Sequence, residues 1–346
     1  MFGKSSSPGK WWSVLEPAAK SPALRLQADP DDPRLGEFVQ RWQGGRCQTR
    51  PGQPIIIGFC CDEGIRRNRG RTGAAAAPDA IRECLYRFTT WDAVSDIDLA
   101  ALNCLDLGNL SVATDLEEGQ HRLAQIMREL LRQRAVPIVL GGGHETAFGH
   151  FLGYAEMQLG VGIINFDAHL DVRPYPEGSH SGSPFRQAME YAPFPLKPGR
   201  YVVLGAQRQS VARSHWQWLQ HHQGRIYWLD ELRDGASTIA VFEDELQRLE
   251  KEAAAILVTV DADAFRQADV PGTSAASPLG FDGALFPKIG LSAGMNPAVQ
   301  SFEVVEINPR YDRDNQSVRW AALGIRQFLV GLAGRGKIGE KYGRTR

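Results

Sequence analysis

Apolar positions along the chain fall into short unbroken runs, separated by segments with helical spacing. "PIIIGF" (54–59), "VPIVL" (136–140), "VGIIN" (161 to about 166), "YVVLGA" (201–206), "RIYWL" (225–229) and "AAILVTVD" (254–261) are such runs. Each is too short for a helix and has no helical period, which predicts buried strands. "AALNCLDLG" (100–108) contains a further strand, and "SFEVVEIN" (301–308) is the last. Between them, "PDAIRECLYRF" (78–88), the amphipathic "DLEEGQHRLAQIMRELLRQR" (115–134), stretches around 211–222 and 237–252, and "VRWAALGIRQFLVGLA" (318–333) predict helices. "GGGHETAFGHFLGYAEM" reads as a turn into another helix. Strands alternating with helices predict an α/β domain whose parallel sheet is covered on both faces.

The first 50 residues break this pattern with Pro and charge clusters and the pair Trp11 and Trp12. They predict an irregular arm, packed on the core or partly without structure. With no internal repeat or long linker, residues 51–346 read as one catalytic domain. Composition adds little: 43% hydrophobic and 23% charged is ordinary for a globular protein. A formal net charge of −1 gives no case for a nucleic-acid or membrane partner. The absence of a long apolar run or signal-peptide core points to a cytoplasmic protein. Cys47, Cys60, Cys61, Cys84 and Cys104 lack a disulfide or zinc spacing and read as reduced thiols.

In open parallel sheets, ligands sit beyond the C-terminal strand ends. After "VPIVL" comes His144, and after "VGIIN" come Asp167, His169 and Asp171. After "ILVTV" come Asp261 and Asp263, and after "SFEVV" comes Glu306. Residues two apart on extended chain point the same way, so each Asp/His set can converge. Taken alone, "DAHLD" also reads as a polar loop. Two histidines and four aspartates at neighbouring strand ends suit a two-metal site. A carboxylate-rich donor set with little imidazole favours a hard divalent ion such as Mn²⁺. Other motifs lead nowhere. "GGGHE" lacks the Gly-Lys-Ser/Thr of a phosphate loop, so its glycines read as a tight turn. "HETAFGH" has the wrong histidine spacing for a zinc protease, leaving His150 as a packing or surface residue. "RRNRGR" (66–71) reads as a basic surface patch, and His221 and His222 as solvated.

"GGGHE", "NFDAHLDVR", "TVDADAF" and "EINP", in this order and spacing, resemble the arginase–agmatinase–formimidoylglutamase superfamily. The resemblance runs from about Pro54 to the C-terminal helix. It implies a three-layer α/β fold on an eight-stranded, mostly parallel sheet with helices on both faces. It also implies two Mn²⁺ per subunit that activate a bridging water. By this resemblance His144, Asp167, His169, Asp171, Asp261 and Asp263 match metal-ligand positions, with Asp167, Asp171 and Asp261 where bridging ligands are expected.

"GFCCDEGIRRNRGRTGAAAAPDAIR" (58–82), "SGSPFRQ" (181–187), "ADVPGTSA" (268–275) and "EINPRYDRDNQSVRWAA" (306–322) resemble the formimidoylglutamase branch. Where arginases carry Asn, two residues past the last Asp of the "DAH.D" run, this chain has Arg173. That residue suits a substrate with two carboxylates, which Arg binds bidentately. The implied reaction is hydrolysis of N-formimidoyl-L-glutamate to L-glutamate and formamide, a step of histidine degradation. Glu306 would orient the formimidoyl group, and Asp263 would pass a proton to the leaving amine. Arg173 would anchor a carboxylate, with Arg69 and Arg71 as candidates for the second. At the place of a family proton-shuttle histidine stands Ser181, a candidate substrate-binding residue, with His180 beside it as a candidate acid. Glu145 is expected to orient an imidazole. Ala262 and Ala264 replace bulkier residues and would loosen packing. Two alternatives stay open: a related enzyme acting on a guanidino acid or an agmatine-like substrate, and a weakly active binding protein with the same fold. A homo-oligomer is also left open.

Overall fold

A computed structural model describes residues 10–18, 29–112, 115–232 and 234–335. Its frame is a nine-stranded sheet, parallel throughout. In chain order the strands are β1 (Gln40–Arg41), β2 (Pro54–Cys60), β3 (Leu105–Ser111), β4 (Val136–Leu140), β5 (Val161–Phe166), β6 (Tyr201–Ala206), β7 (Arg225–Trp228), β8 (Ala255–Asp261) and β9 (Val299–Val305). In space they run β1-β3-β2-β4-β9-β8-β5-β6-β7. The eight expected strands are all present. The ninth, β1, comes from the N-terminal arm and pairs with Leu105 and Asp106. The arm also bridges to the sheet at Glu16–Asn109, and Trp11, Trp12 and Leu15 pack against the core. Residues 1–9 and 19–28 of the arm lie outside the described residues.

Alternate residues of the central strands feed opposite faces, as extended chain requires. Ile138 and Leu140 of β4 face one apolar layer, and Val139 faces the other. The first layer is covered by α1 (Ala77–Leu85), α6 (Gly235–Glu252), α7 (Leu285–Met295) and α8 (Gln316–Ala333). The second is covered by α2 (Leu116–Arg132), α3 (Thr146–Glu156), α4 (Pro184–Glu190) and α5 (Arg213–His221). The Asp115 side chain caps α2 by accepting from the Glu118 N–H. Ala262 and Ala264 are both fully buried in the first layer.

The α7–α8 pair is the tightest helix contact. A Cβ added at Gly290 would lie 2.3 Å from the Gly324 carbonyl oxygen, and one at Gly294 would lie 2.3 Å from that of Phe328. Neither backbone can retreat from the sheet. Gly290→Ala is therefore expected to destabilise the protein by about 1–3 kcal/mol through overpacking, read from a urea unfolding midpoint. Gly235→Ala is the control: its added Cβ would meet only Leu285, at 3.7 Å, and stability should not fall.

Candidate metal centre

The strands β4, β9, β8 and β5 are neighbours in the middle of the sheet. Their C-terminal ends bring the expected residues together. His144 Nδ1 lies 3.0 Å from Asp171 Oδ2, 3.1 Å from Asp261 Oδ2 and 3.4 Å from Asp167 Oδ2. His169 Nδ1 lies 3.1 Å from Asp263 Oδ2 and 3.4 Å from Asp167 Oδ1. Two donor groups result: His144, Asp167, Asp171 and Asp261, and beside them Asp167, His169 and Asp263. Of the three positions expected to bridge, Asp167 alone belongs to both groups.

Local backbone fixes the carboxylates. Asp167 Oδ1 accepts from the His169 N–H at 2.6 Å, and Asn165 donates to Oδ2 at 3.0 Å. Asp261 Oδ1 accepts from the Asp263 N–H at 2.8 Å, which leaves Oδ2 toward His144. Glu306 Oε1 accepts from the His144 N–H at 2.9 Å. Asp171 and Glu306 have φ of 47° and 63°, a region costly for residues with a side chain. The strain sits where these two side chains must turn into the site. The glycines before His144 serve a close approach: a Cβ at Gly142 would lie 1.7 Å from the Cys61 carbonyl oxygen. None of Gly141, Gly142 and Gly143 has a positive φ.

The electrostatics call for a cation. Burial and the neighbouring Asp263 and Asp167 hold the Asp261 carboxyl well above the usual carboxylate range. Burial, with Asp261 and Glu145, does the same to Glu306. Burial and Asp167 raise Asp171. Burial also opposes the charge of Asp167, yet His144 and His169 beside it hold its carboxyl low. Asp263 above all pushes the His169 imidazole up, and three carboxylates push His144 up against its burial. His144 Nδ1, buried and close to three carboxylates, has no hydrogen-bond partner in line. A proton there would lack a good acceptor. A metal ion shared with the carboxylates answers both the unpartnered nitrogen and the crowded negative charge.

A cavity of about 190 Å³ opens over the cluster. His169, Asp171, Asp261, Asp263 and Glu306 line it, together with Arg173 and Ser181. Arg173 reaches Asn68 Oδ1 at 3.4 Å, and Asn68 donates to Ser181 Oγ at 3.1 Å. Arg173 forms no ion pair with Glu177 or any other described carboxylate. Arg69 and Arg71 do not line the cavity. Arg69 sits at φ 63° on the exposed surface, and Arg71 turns outward to the Thr273 and Ser274 carbonyls and the Tyr311 ring. Asn68, Gly70 and Ser274 line the cavity instead. His180 also stays off the wall: its Nε2 lies 3.2 Å from the Pro174 carbonyl and its Nδ1 accepts from the Gly182 N–H at 3.2 Å. It braces its own loop. Glu145 orients no imidazole either. Its Oε1 accepts from the Gly64 N–H at 2.8 Å, and burial pushes its carboxyl up to about 7.

Asn68 and Asn165 were the missed residues. Asn68 lies within the basic run, where charge drew attention from the one amide. Asn165 lies two residues before Asp167 on β5 and so shares its side, which period-two spacing foretells.

The family model described as the arginase family matches residues 53–331. A formimidoylglutamase of Lysinibacillus sphaericus is 35% identical over 284 residues, covering 81% of this chain and 84% of that protein. One of Clostridium tetani is 37% identical over 294 residues, covering 80% and 82%. The crystal structure of Trypanosoma cruzi formiminoglutamase with two Mn²⁺ has a TM-score of 0.79 at 31% identity, over 88% of this chain and 100% of that one. The family match runs through every strand end that carries the donor cluster, and the chain belongs to the arginase family.

Proposed function

We propose that this enzyme hydrolyses N-formimidoyl-L-glutamate at two Mn²⁺ ions, giving L-glutamate and formamide. The observation that carries the choice of substrate is Arg173: a guanidinium with no ion-pair partner among the described residues, in the wall of the same cavity as both donor groups. Relatives across most of the chain bear the name formimidoylglutamase, which supports the same reading. No described helix is long and apolar enough to cross a membrane.

His144, Asp167, Asp171 and Asp261 would hold one metal, and Asp167, His169 and Asp263 the other. When bound, the pair supplies Lewis-acid charge and lowers the pKa of water from ~15.7 toward neutrality. The chain's own residues do the rest. Arg173 takes a substrate carboxylate by charge-assisted hydrogen bonds, and Asn68, which donates to Ser181, accepts from its guanidinium. Glu306, steadied at Oε1 by the His144 N–H, presents carboxylate to the cationic formimidoyl nitrogens. The burial of these groups excludes bulk water, so each interaction acts in a low dielectric. Water oxygen bonds to the formimidoyl carbon, the bond from that carbon to the glutamate nitrogen breaks, and the amine leaves with a proton. Asp263, which lines the cavity, would take that proton from the attacking water and pass it to the leaving amine.

The reading is tested directly by product. With added Mn²⁺, the protein is expected to release formamide from N-formimidoyl-L-glutamate. Urea release from a guanidino acid, with no formamide, would assign it to another branch of the family. For substrate binding, Arg173→Ala is expected to raise KM while both metals stay bound. One lost charge-assisted bond of about 1.5–3 kcal/mol lowers kcat/KM roughly ten- to a hundredfold. A wild-type KM in that variant would remove Arg173 as the carboxylate anchor. For the metals, the shared position of Asp167 makes a distinction: Asp167→Ala should weaken both ions, and Asp171→Ala only one. Metal content after gel filtration counts them, and equal losses in the two variants would contradict the arrangement.

A further inference from the structure

Strands β8 and β9 each carry a polar side chain in a fully buried stretch, Thr259 and Glu303, paired in register. An unpaired buried carboxylate is costly. Glu303 spends its two oxygens on two partners. Thr259 Oγ1 donates to Oε1 at 2.9 Å, and His150 Nδ1 lies 2.8 Å from Oε2. His150 Nε2 lies 2.8 Å from Ser301 Oγ, which lies 2.6 Å from the Tyr154 hydroxyl. At the other end, His144 Nε2 lies 3.2 Å from Thr259 Oγ1. The chain of bonds thus runs inward from the metal cluster, through side chains that are all fully buried or nearly so.

Counting protons sets its direction. The Thr259 hydroxyl has one proton and gives it to Glu303, so toward His144 it can only accept. His144 Nε2 must then carry the ring proton. Nδ1 is left with its lone pair, and it is the nitrogen that faces three carboxylates without a hydrogen-bond partner. From the far end the count also closes. Tyr154 donates to Ser301, Ser301 to His150 Nε2, and His150 Nδ1 to Glu303. Run the other way, Thr259 would donate to Nε2 and force a proton onto Nδ1, where a ligand is needed.

We propose that Thr259, backed by Glu303 and His150, is a positioning residue that holds His144 in the Nε2–H tautomer, with Nδ1 free to take a metal ion. The inference rests on His144 being a ligand, the reading given above. Outer partners of ligating histidines are worth about 10- to 100-fold in metal affinity.

The test uses the full chain and two readouts besides activity. In Mn²⁺ titrations, Thr259→Val is expected to weaken one of the two sites about 10- to 100-fold and leave the other. Thr259→Ser, which keeps the hydroxyl, should restore it. Glu303→Gln, with one accepting oxygen where two are needed, should weaken the same site. Thermal unfolding checks that each variant is folded. Nitrogen-15 NMR of histidine-labelled, Cd²⁺-loaded protein should show a slowly exchanging Nε2 proton on His144 in wild type and Thr259→Ser, lost in Thr259→Val. Wild-type affinity at both sites in Thr259→Val, or a Nδ1 proton on His144 in loaded wild type, overturns the proposal. A wild-type protein that binds no Mn²⁺ at all instead overturns the metal reading beneath it, and the titration separates the two failures.

Discussion

Like-charge repulsion among buried carboxylates is the constraint around which this molecule is arranged. Asp167, Asp171, Asp261, Asp263 and Glu306 are all buried at the ends of three adjacent strands, β5, β8 and β9. Two imidazoles cannot neutralise five carboxylates. Bringing such groups together by folding alone works against stability, so the scaffold must be rigid enough to hold them and a cation must make the arrangement favourable. A parallel sheet whose central strands are apolar on both faces provides that rigidity. Backbone N–H groups tie down one oxygen each of Asp167, Asp261 and Glu306, so the remaining oxygens face inward without rotating.

The same constraint explains what could be read from the chain alone. Strands β2, β4, β5, β6 and β8 announced themselves because burial on both faces demands unbroken apolar runs. The donor residues were legible because strand ends in a parallel sheet share one edge. β1 was not legible: Gln40 and Arg41 carry no pattern, and only the exposed backbone of β3 makes them a strand. α7 was not legible, since Pro287, Gly290 and Gly294 interrupt its helical spacing. In the fold Pro287 lies in the first turn, and the glycines let α8 approach.

The cavity wall was harder. Arg173 follows Asp171 by two residues and does reach the cavity, as extended chain suggests. The run 66–71 does not stay extended. Glu63–Arg67 is helical and Arg69 is left-handed, so Asn68 and Gly70 take the wall while the arginines at 69 and 71 turn outward. His180 was chosen for its chemistry, but its ring nitrogens answer to the loop backbone. Thr259 and Glu303 did leave a trace. A polar residue in the middle of an otherwise apolar strand must find a partner in the core.

The two-residue strand β1 has a further consequence, for association between copies. Sheet edges expose rows of unpaired N–H and C=O groups and invite foreign strands. On the β3 side, β1 covers the first two rungs and the Glu16–Asn109 bridge a later one, which shortens the stretch left as a template. At the opposite edge, β7 is only four residues long, and Arg225 on it pairs with Glu245. Short, charged or covered edges let a nine-stranded parallel sheet, slow to form because its pairings are distant in sequence, reach its final shape with few chances to recruit a neighbour.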